Sequence, residues 1–222
     1  STESRELRLH FRPLPTSAPA AERTGFHFDL TVGSELLGSA SVPPGGEEAV
    51  FADLPGGDKV VEIWLSQEIP VQLTDLQGDA PCYPVQDSRP RWVTYGSSLT
   101  HCVRAHSPAR TWPALVARRR GLNLTSLGFG GQCHLDAMVG MAIADLPADY
   151  ITLKLGINTI GGSLSARTFP AAIVGLVQII RQKHPDTPMA LVSAIGYPPH
   201  ETTPNPVGYT MEGQRRDMED VY

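Results

Sequence analysis

Lysine is scarce in this chain: of 18 cationic side chains only Lys59, Lys154 and Lys183 are lysines, against 23 carboxylates and a formal net charge of −5. The arginines are thinly spread apart from Arg118-Arg119-Arg120. No basic face of the kind that neutralises a phosphate backbone is present, so nucleic acid is not an expected partner. The arginine triplet falls where a helix ends and suits the negative end of a helix dipole. Cysteine is equally rare. Cys82, Cys102 and Cys133 are odd in number and lack a C-x-x-C pair, which argues against a zinc site or a disulfide framework and for reduced thiols. Long hydrophobic runs are missing too. No stretch approaches the roughly 20 apolar residues a membrane span requires, and the opening STESRELRLHFR has no apolar signal core. The expectation is a soluble, cytoplasmic protein, with a secreted form that has lost its signal peptide left open. Neither a cofactor nor a metal is indicated.

What is present is enough apolar sequence, 41%, to bury an ordinary core over 222 residues. Between Glu6 and Leu76 come six short alternating segments: LRLHFR, GFHFDLTV, ELLGSASV, EAVFADL, KVVEIWL and VQLTDL. Pro43-Pro44-Gly45-Gly46 and Pro55-Gly56-Gly57 punctuate them. Period-two patterning broken by such turns predicts a small all-β sandwich or partial barrel. The proline-rich stretch 78–91 reads as a linker, with the domain boundary near residue 88. Residues 1–88 are thus expected to form a β-sandwich domain with its linker, and 89–222 an α/β domain.

From Trp92 the pattern alternates. WVTY, LNLTSLG, DYITLKLG and TPMALVSAI read as strands; TWPALVARRR, HLDAMVGMAIADL, ARTFPAAIVGLVQIIRQKH and TMEGQRRDMEDVY read as helices. Pro170 marks a start for the third helix later than Ala166. Strand and helix in strict alternation predict a parallel sheet covered on both faces, a three-layer α/β domain. In such sheets ligands gather beyond the carboxyl ends of the strands. Three turns there hold reactive chemistry. Gly96-Ser97-Ser98 puts a serine hydroxyl at a helix entrance, among oriented backbone N–H groups. Gly128-Phe129-Gly130-Gly131 lets backbone come close to a bound group and aim N–H at developing negative charge. Gly156-Ile157-Asn158 offers a carboxamide with two N–H donors. Each alone is an ordinary turn, an N-cap serine, a flexible loop or a turn-forming asparagine.

Together, YGSSLTHC, LGFGGQCH and LKLGIN resemble the first three sequence blocks of the SGNH (GDSL-type) hydrolases and acyltransferases. The resemblance covers about residues 91–222. It implies an SGNH-hydrolase-like three-layer fold, Ser98 as nucleophile, and Gly131 and Asn158 as oxyanion donors beside the Ser98 N–H. The string from Trp92 to Asn158 is most similar to a subgroup with an N-terminal β-sandwich, which includes an acyltransferase that places a salicylyl group on a tetracycline. Two features depart from the pattern. Ser97 stands where the first block usually has Asp. The fourth block, an Asp-x-x-His that supplies the base and its orienting acid, is missing, so the resemblance implies a longer protein with that block beyond Tyr222. His101, His134 and His200 are the histidines near the three turns that could stand in for it.

The chemistry implied is acyl transfer through an acyl-enzyme on Ser98, from a small-molecule ester or thioester to water or an alcohol acceptor. Two other classes compete. A non-catalytic carbohydrate-binding protein on a decayed SGNH scaffold would use Trp64, Trp92 and Trp112 for stacking, although core packing is the commoner use of such residues. A nucleotide-binding protein would use the glycine loop, although the full G-x-G-x-x-G is broken by Cys133.

Overall fold

The structure is a computed structural model that describes residues 1–15, 25–198 and 201–221. Its contacts divide the chain into two units, Ser1–Arg89 with Cys102–Leu122, and Pro90–His101 with Asn123–Tyr222.

The first unit is a β-sandwich. Strands β1 (Leu7–Pro13), β4 (Glu48–Phe51) and β6 (Val71–Gly78) form one antiparallel sheet in the order β4-β1-β6. Strands β2 (Phe26–Val32), β3 (Glu35–Val42) and β5 (Val61–Trp64) form the other, in the order β3-β2-β5. Period-two patterning fixes which face is inside. Leu7, Leu9 and Phe11 of β1 meet Phe26, Phe28 and Leu30 of β2 in one core cluster. Phe11 packs against both Phe26 and Phe28, with ring centroids 5.2 and 4.7 Å apart.

The 102–122 segment, which the alternating pattern places in the α/β domain, keeps its contacts with the sandwich instead. The cause is a set of polar ties between residues far apart in sequence. Asp29, fully buried, accepts from the Ala109 N–H at 2.8 Å and from the Ser39 hydroxyl. Gln67 donates to the Ala105 carbonyl, and the Arg118 guanidinium donates to the Ala109 and Ser34 carbonyls. This segment includes α2 (Trp112–Arg120). Thr111 caps its start, Pro113 sits in its first turn, and its end holds Arg118, Arg119 and Arg120 before Gly121 at φ +62°.

The second unit is a parallel four-stranded sheet in the order β10-β9-β7-β8, from β7 (Arg91–Gly96), β8 (Asn123–Gly128), β9 (Tyr150–Lys154) and β10 (Met189–Val192). Helix α1 (Ser98–His101) follows β7, α3 (Ala137–Asp145) follows β8, α4 (Phe169–Arg181) follows β9 and α5 (Met211–Asp220) follows β10. The fold class is the expected one, an SGNH-like parallel sheet preceded by a β-sandwich. Buried Val93, Tyr95, Ile151 and Leu153 from the strands, and Leu155 just past β9, pack with Ile143 of α3 and with Phe169, Ile173, Leu176 and Ile180 of α4. The last four recur at helical spacing, which is why α4 keeps one apolar face on the sheet.

Two helix starts differ from expectation. HLDAMVGMAIADL was read as helical throughout, but α3 begins only at Ala137. Leu135 is in the left-handed region at φ +64°, and His134 and Cys133 hold a loop. Helix α4 begins at Phe169, between the alternatives of Ala166 and Pro170, with Pro170 in its first turn. Among the described residues no helix is long and apolar enough to cross a membrane.

Candidate active site

The register of the parallel sheet lines up the ends of its strands. Gly96 of β7 is level with Gly128 of β8 and with Lys154 of β9, and Lys154 with Val192 of β10. The three sequence turns singled out above therefore leave the sheet in one row. The order β8-β7-β9-β10 also places a topological switch point between β7 and β9, because the connection from β7 runs to β8 on one side and that from β9 to β10 on the other. Ser98 follows β7 and Asn158 follows β9, one on each side of that switch point.

Ser98 is exposed and opens α1, while Ser97 before it is fully buried. The Ser97 carbonyl accepts from the Thr100 and His101 N–H groups, and its hydroxyl from the Leu99 N–H at 3.3 Å. Serine in place of the family's usual aspartate thus still caps the turn that presents the next residue. Gly128 lets β8 end against α1: a Cβ there would lie 2.2 Å from the His101 backbone nitrogen. Past it, the loop folds back through Phe129 N–H to the Gly96 carbonyl at 2.7 Å. A Cβ on Gly130 would lie 3.9 Å from the Ser98 Cβ and 3.4 Å from His101 Nδ1, so the loop runs beside the serine. Gly131 is exposed at φ +71°, a conformation that disfavours a side chain.

Asn158 joins this loop through Cys133, whose backbone N–H donates to Asn158 Oδ1 at 3.0 Å. With its oxygen engaged, the half-buried carboxamide has only its NH2 left to offer. The Cys133 thiol is buried, with Sγ 3.8 Å from the Lys154 carbonyl, and burial pushes its pKa up to about 11. Burial likewise raises the Tyr95 phenol beneath the loop far above its ordinary range, with Cys133 adding to the shift. The Lys154 ammonium donates to the Ser193 carbonyl, and burial lowers its pKa.

Of the candidate histidines, His101 ends α1. His134 has both ring nitrogens engaged, Nδ1 with Ser163 Oγ at 2.9 Å and Nε2 with the Gly131 carbonyl at 3.1 Å. A carbonyl only accepts, so Nε2 carries the proton. His200 lies outside the described residues. Sequence reasoning weighed His134 only as a base. Its bond to a carbonyl three residues back, and the part of Ser163, had no signal beyond the tripeptide Gln132-Cys133-His134.

The residues proposed for rival functions fit poorly. Trp92 is a core residue, 6% exposed, with its indole N–H on Thr152, so it packs and is not a stacking platform, as core use of these tryptophans predicts. Trp64 is half-buried with its N–H on Thr31. A phosphate loop requires its glycines to open straight into a helix N-terminus. Here α3 starts only at Ala137, after buried Cys133 and Leu135. Among the described residues no three His, Cys, Asp or Glu side chains group to hold a metal ion.

Residues 89–222 match the model of the GDSL-like lipase/acylhydrolase family. The chain belongs to that family. Among solved structures it is similar to the salicylyl acyltransferase SsfX3 from a tetracycline biosynthetic pathway, with 34% identity and a TM-score of 0.88 over 99% of this chain and 64% of that one. A GDSL-like lipase from Bacteroides ovatus matches with 19% identity and a TM-score of 0.74, over 99% of this chain and 66% of that one. A family two carbohydrate esterase from Clostridium thermocellum matches with 12% identity and a TM-score of 0.68, over 99% of this chain and 74% of that one. The last two likenesses speak for the fold alone. The chain thus spans about two thirds of the length of the first two structures. Comparison with curated protein sequences gave no match.

Proposed function

We propose that the protein transfers acyl groups from small-molecule esters or thioesters through an acyl-enzyme on Ser98. The observation that carries this reading is the bond from Cys133 N–H to Asn158 Oδ1. It engages the carboxamide oxygen, leaves the NH2 as a donor, and ties Asn158 to the glycine loop that runs past Ser98. In the first step Ser98 Oγ attacks the carbonyl carbon as its proton passes to a base. The negative charge moves to the former carbonyl oxygen, held by the Ser98 N–H, the Gly131 N–H and the Asn158 NH2. Collapse of this intermediate breaks the bond to the leaving oxygen or sulfur, which takes the proton. Water or an alcohol then attacks the acyl-enzyme by the same steps in reverse order and frees Ser98.

His134 is a poor candidate for the base because both its ring nitrogens are engaged, and the family's Asp-x-x-His block, which would supply one, is not in this sequence. Hydrolysis and transfer share this chemistry and differ in whether water or an alcohol reaches the acyl-enzyme. The 34% identity to a salicylyl acyltransferase supports an alcohol acceptor as well as water. In the full-length protein, Asn158→Ala is expected to lower kcat on a reactive p-nitrophenyl ester about 100- to 1,000-fold, with a modest fall in thermal midpoint because the Cys133 N–H loses its acceptor. Turnover near the wild-type value would remove Asn158 from the oxyanion hole.

A further inference from the structure

We infer that His134 is a positioning residue that fixes the oxyanion-donor loop and ties it to the Asn158 loop. The inference rests on the acyl-transfer reading above. Gly130 and Gly131 have no side chains to anchor them, and Gly131 is exposed in the left-handed region. Something else has to hold their peptide planes if Gly131 N–H is to stay aimed at one point. Within the loop, Gln132 N–H reaches the Phe129 carbonyl at 3.1 Å and His134 N–H the Gln132 carbonyl at 3.0 Å. The first holds the Gly131–Gln132 peptide plane at its N–H end, and neither engages the Gly131 carbonyl at the other end. His134 Nε2–H does, at 3.1 Å, and this fixes how the chain leaves Gly131.

The other ring nitrogen reaches across to the neighbouring loop. Nδ1 accepts from Ser163 Oγ at 2.9 Å, and Ser163 lies just beyond the 3-10 turn Thr159–Gly161 that Asn158 begins. Two consecutive residues thus fasten the two loops together, Cys133 through its backbone N–H on Asn158 and His134 through its ring on Ser163. The imidazole is planar and rigid, so the two contacts move as one. Loss of the ring leaves the Gly131–Gln132 peptide plane held only through the Gln132 N–H, able to tilt about that bond, and the Asn158 loop held at one point. A donor displaced by about 1 Å costs on the order of 100-fold in rate, since its contribution depends on aim at the transition state.

The test is steady-state hydrolysis of a p-nitrophenyl ester by the full-length protein, with fluorophosphonate labelling of Ser98 and thermal midpoints measured in parallel. His134→Ala is expected to lower kcat about 10- to 100-fold while KM stays within about twofold, because a donor acting in the transition state is lost. Glutamine and asparagine separate the two contacts. The Gln amide nitrogen takes the place of Nε2 and can still donate to the Gly131 carbonyl. The Asn amide reaches only as far as Nδ1 and keeps only the Ser163 contact. His134→Gln is therefore expected to recover kcat to within about fivefold of wild type, and His134→Asn to stay near the alanine value. A role confined to stability would lower the midpoint of all three variants and leave kcat of the folded protein unchanged. That result, or equal kcat for the Gln and Asn variants, overturns the inference, and the Gln–Asn comparison stands even if the alanine variant fails to fold. Wild-type protein that neither hydrolyses the ester nor labels at Ser98 overturns the acyl-transfer reading and this inference with it. Active wild type with His134 variants of unchanged kcat overturns this inference alone.

Discussion

Gly128→Ala is a one-methyl change away from the reacting atoms whose effect on turnover is set by a single close approach. A Cβ at residue 128 would lie 2.2 Å from the His101 nitrogen, 2.3 Å from its Cα and 2.7 Å from the Thr100 carbonyl carbon. All three are backbone atoms of α1, so no side-chain rotation relieves the clash. Ordinary contact needs about 3.5 Å, and α1 and the end of β8 must therefore part by roughly 1.3 Å. Helix α1 is only four residues long and begins with Ser98, so a shift of that size moves the nucleophile against its oxyanion donors. Misplacement by about 1 Å is expected to lower kcat on a p-nitrophenyl ester about 100-fold. Overpacking of this kind costs about 1–3 kcal/mol, which in a protein of this size lowers the thermal midpoint by about 2–12 °C. Gly130→Ala is the control, since its Cβ would meet only His101 Nδ1 at 3.4 Å and Ser98 Cβ at 3.9 Å, and its effect is expected to be much the smaller. A Gly128→Ala protein with wild-type kcat and midpoint would refute the reasoning, since α1 would then not be what holds Ser98 in register.

Cysteine reactivity follows burial. At pH 8 a maleimide is expected to modify exposed Cys82 in the native protein, and Cys133 only after unfolding, because Cys133 is buried with its pKa pushed up to about 11. Rapid native labelling of Cys133 would mean that the glycine loop opens. The acid limb of stability has an assignable contributor in Asp149. Its carboxylate accepts from the Arg91 side chain and backbone N–H, which holds its pKa at about 2. The folded pKa lies below that of the unfolded chain, so the pairing stabilises the fold above about pH 4 and is lost as the pH falls through about 2. Asp149→Asn should flatten that part of a urea-midpoint-against-pH curve, and identical curves for the two proteins would remove Asp149 from the account.

Much of this architecture was legible because it follows from local pattern. Leu7, Leu9 and Phe11 alternate with polar residues and became one face of β1. The apolar runs from Trp92 onward became parallel strands in the expected order of turns. The site was legible for a related reason, since in a parallel sheet every strand delivers its following turn to the same edge. What stayed hidden depends on partners remote in sequence. Nothing near Ala109 announces that its N–H ends on the buried carboxylate of Asp29, yet such ties hold residues 102–122 to the sandwich. The late start of α3 was missed because HLDAMVGMAIADL keeps helical spacing up to its first residue. The bonds of Cys133 and His134 to the Asn158 loop and to Gly131 hold the chain out of the helix instead.

The central claim, that Ser98 is the nucleophile, is tested most directly by intact-protein and peptide mass spectrometry of the full-length protein after treatment with a fluorophosphonate, beside Ser98→Ala. A single adduct on the peptide containing Ser98, absent from the variant, is the result the account predicts. A folded full-length protein that takes up no probe, or takes it up at another residue, would contradict it.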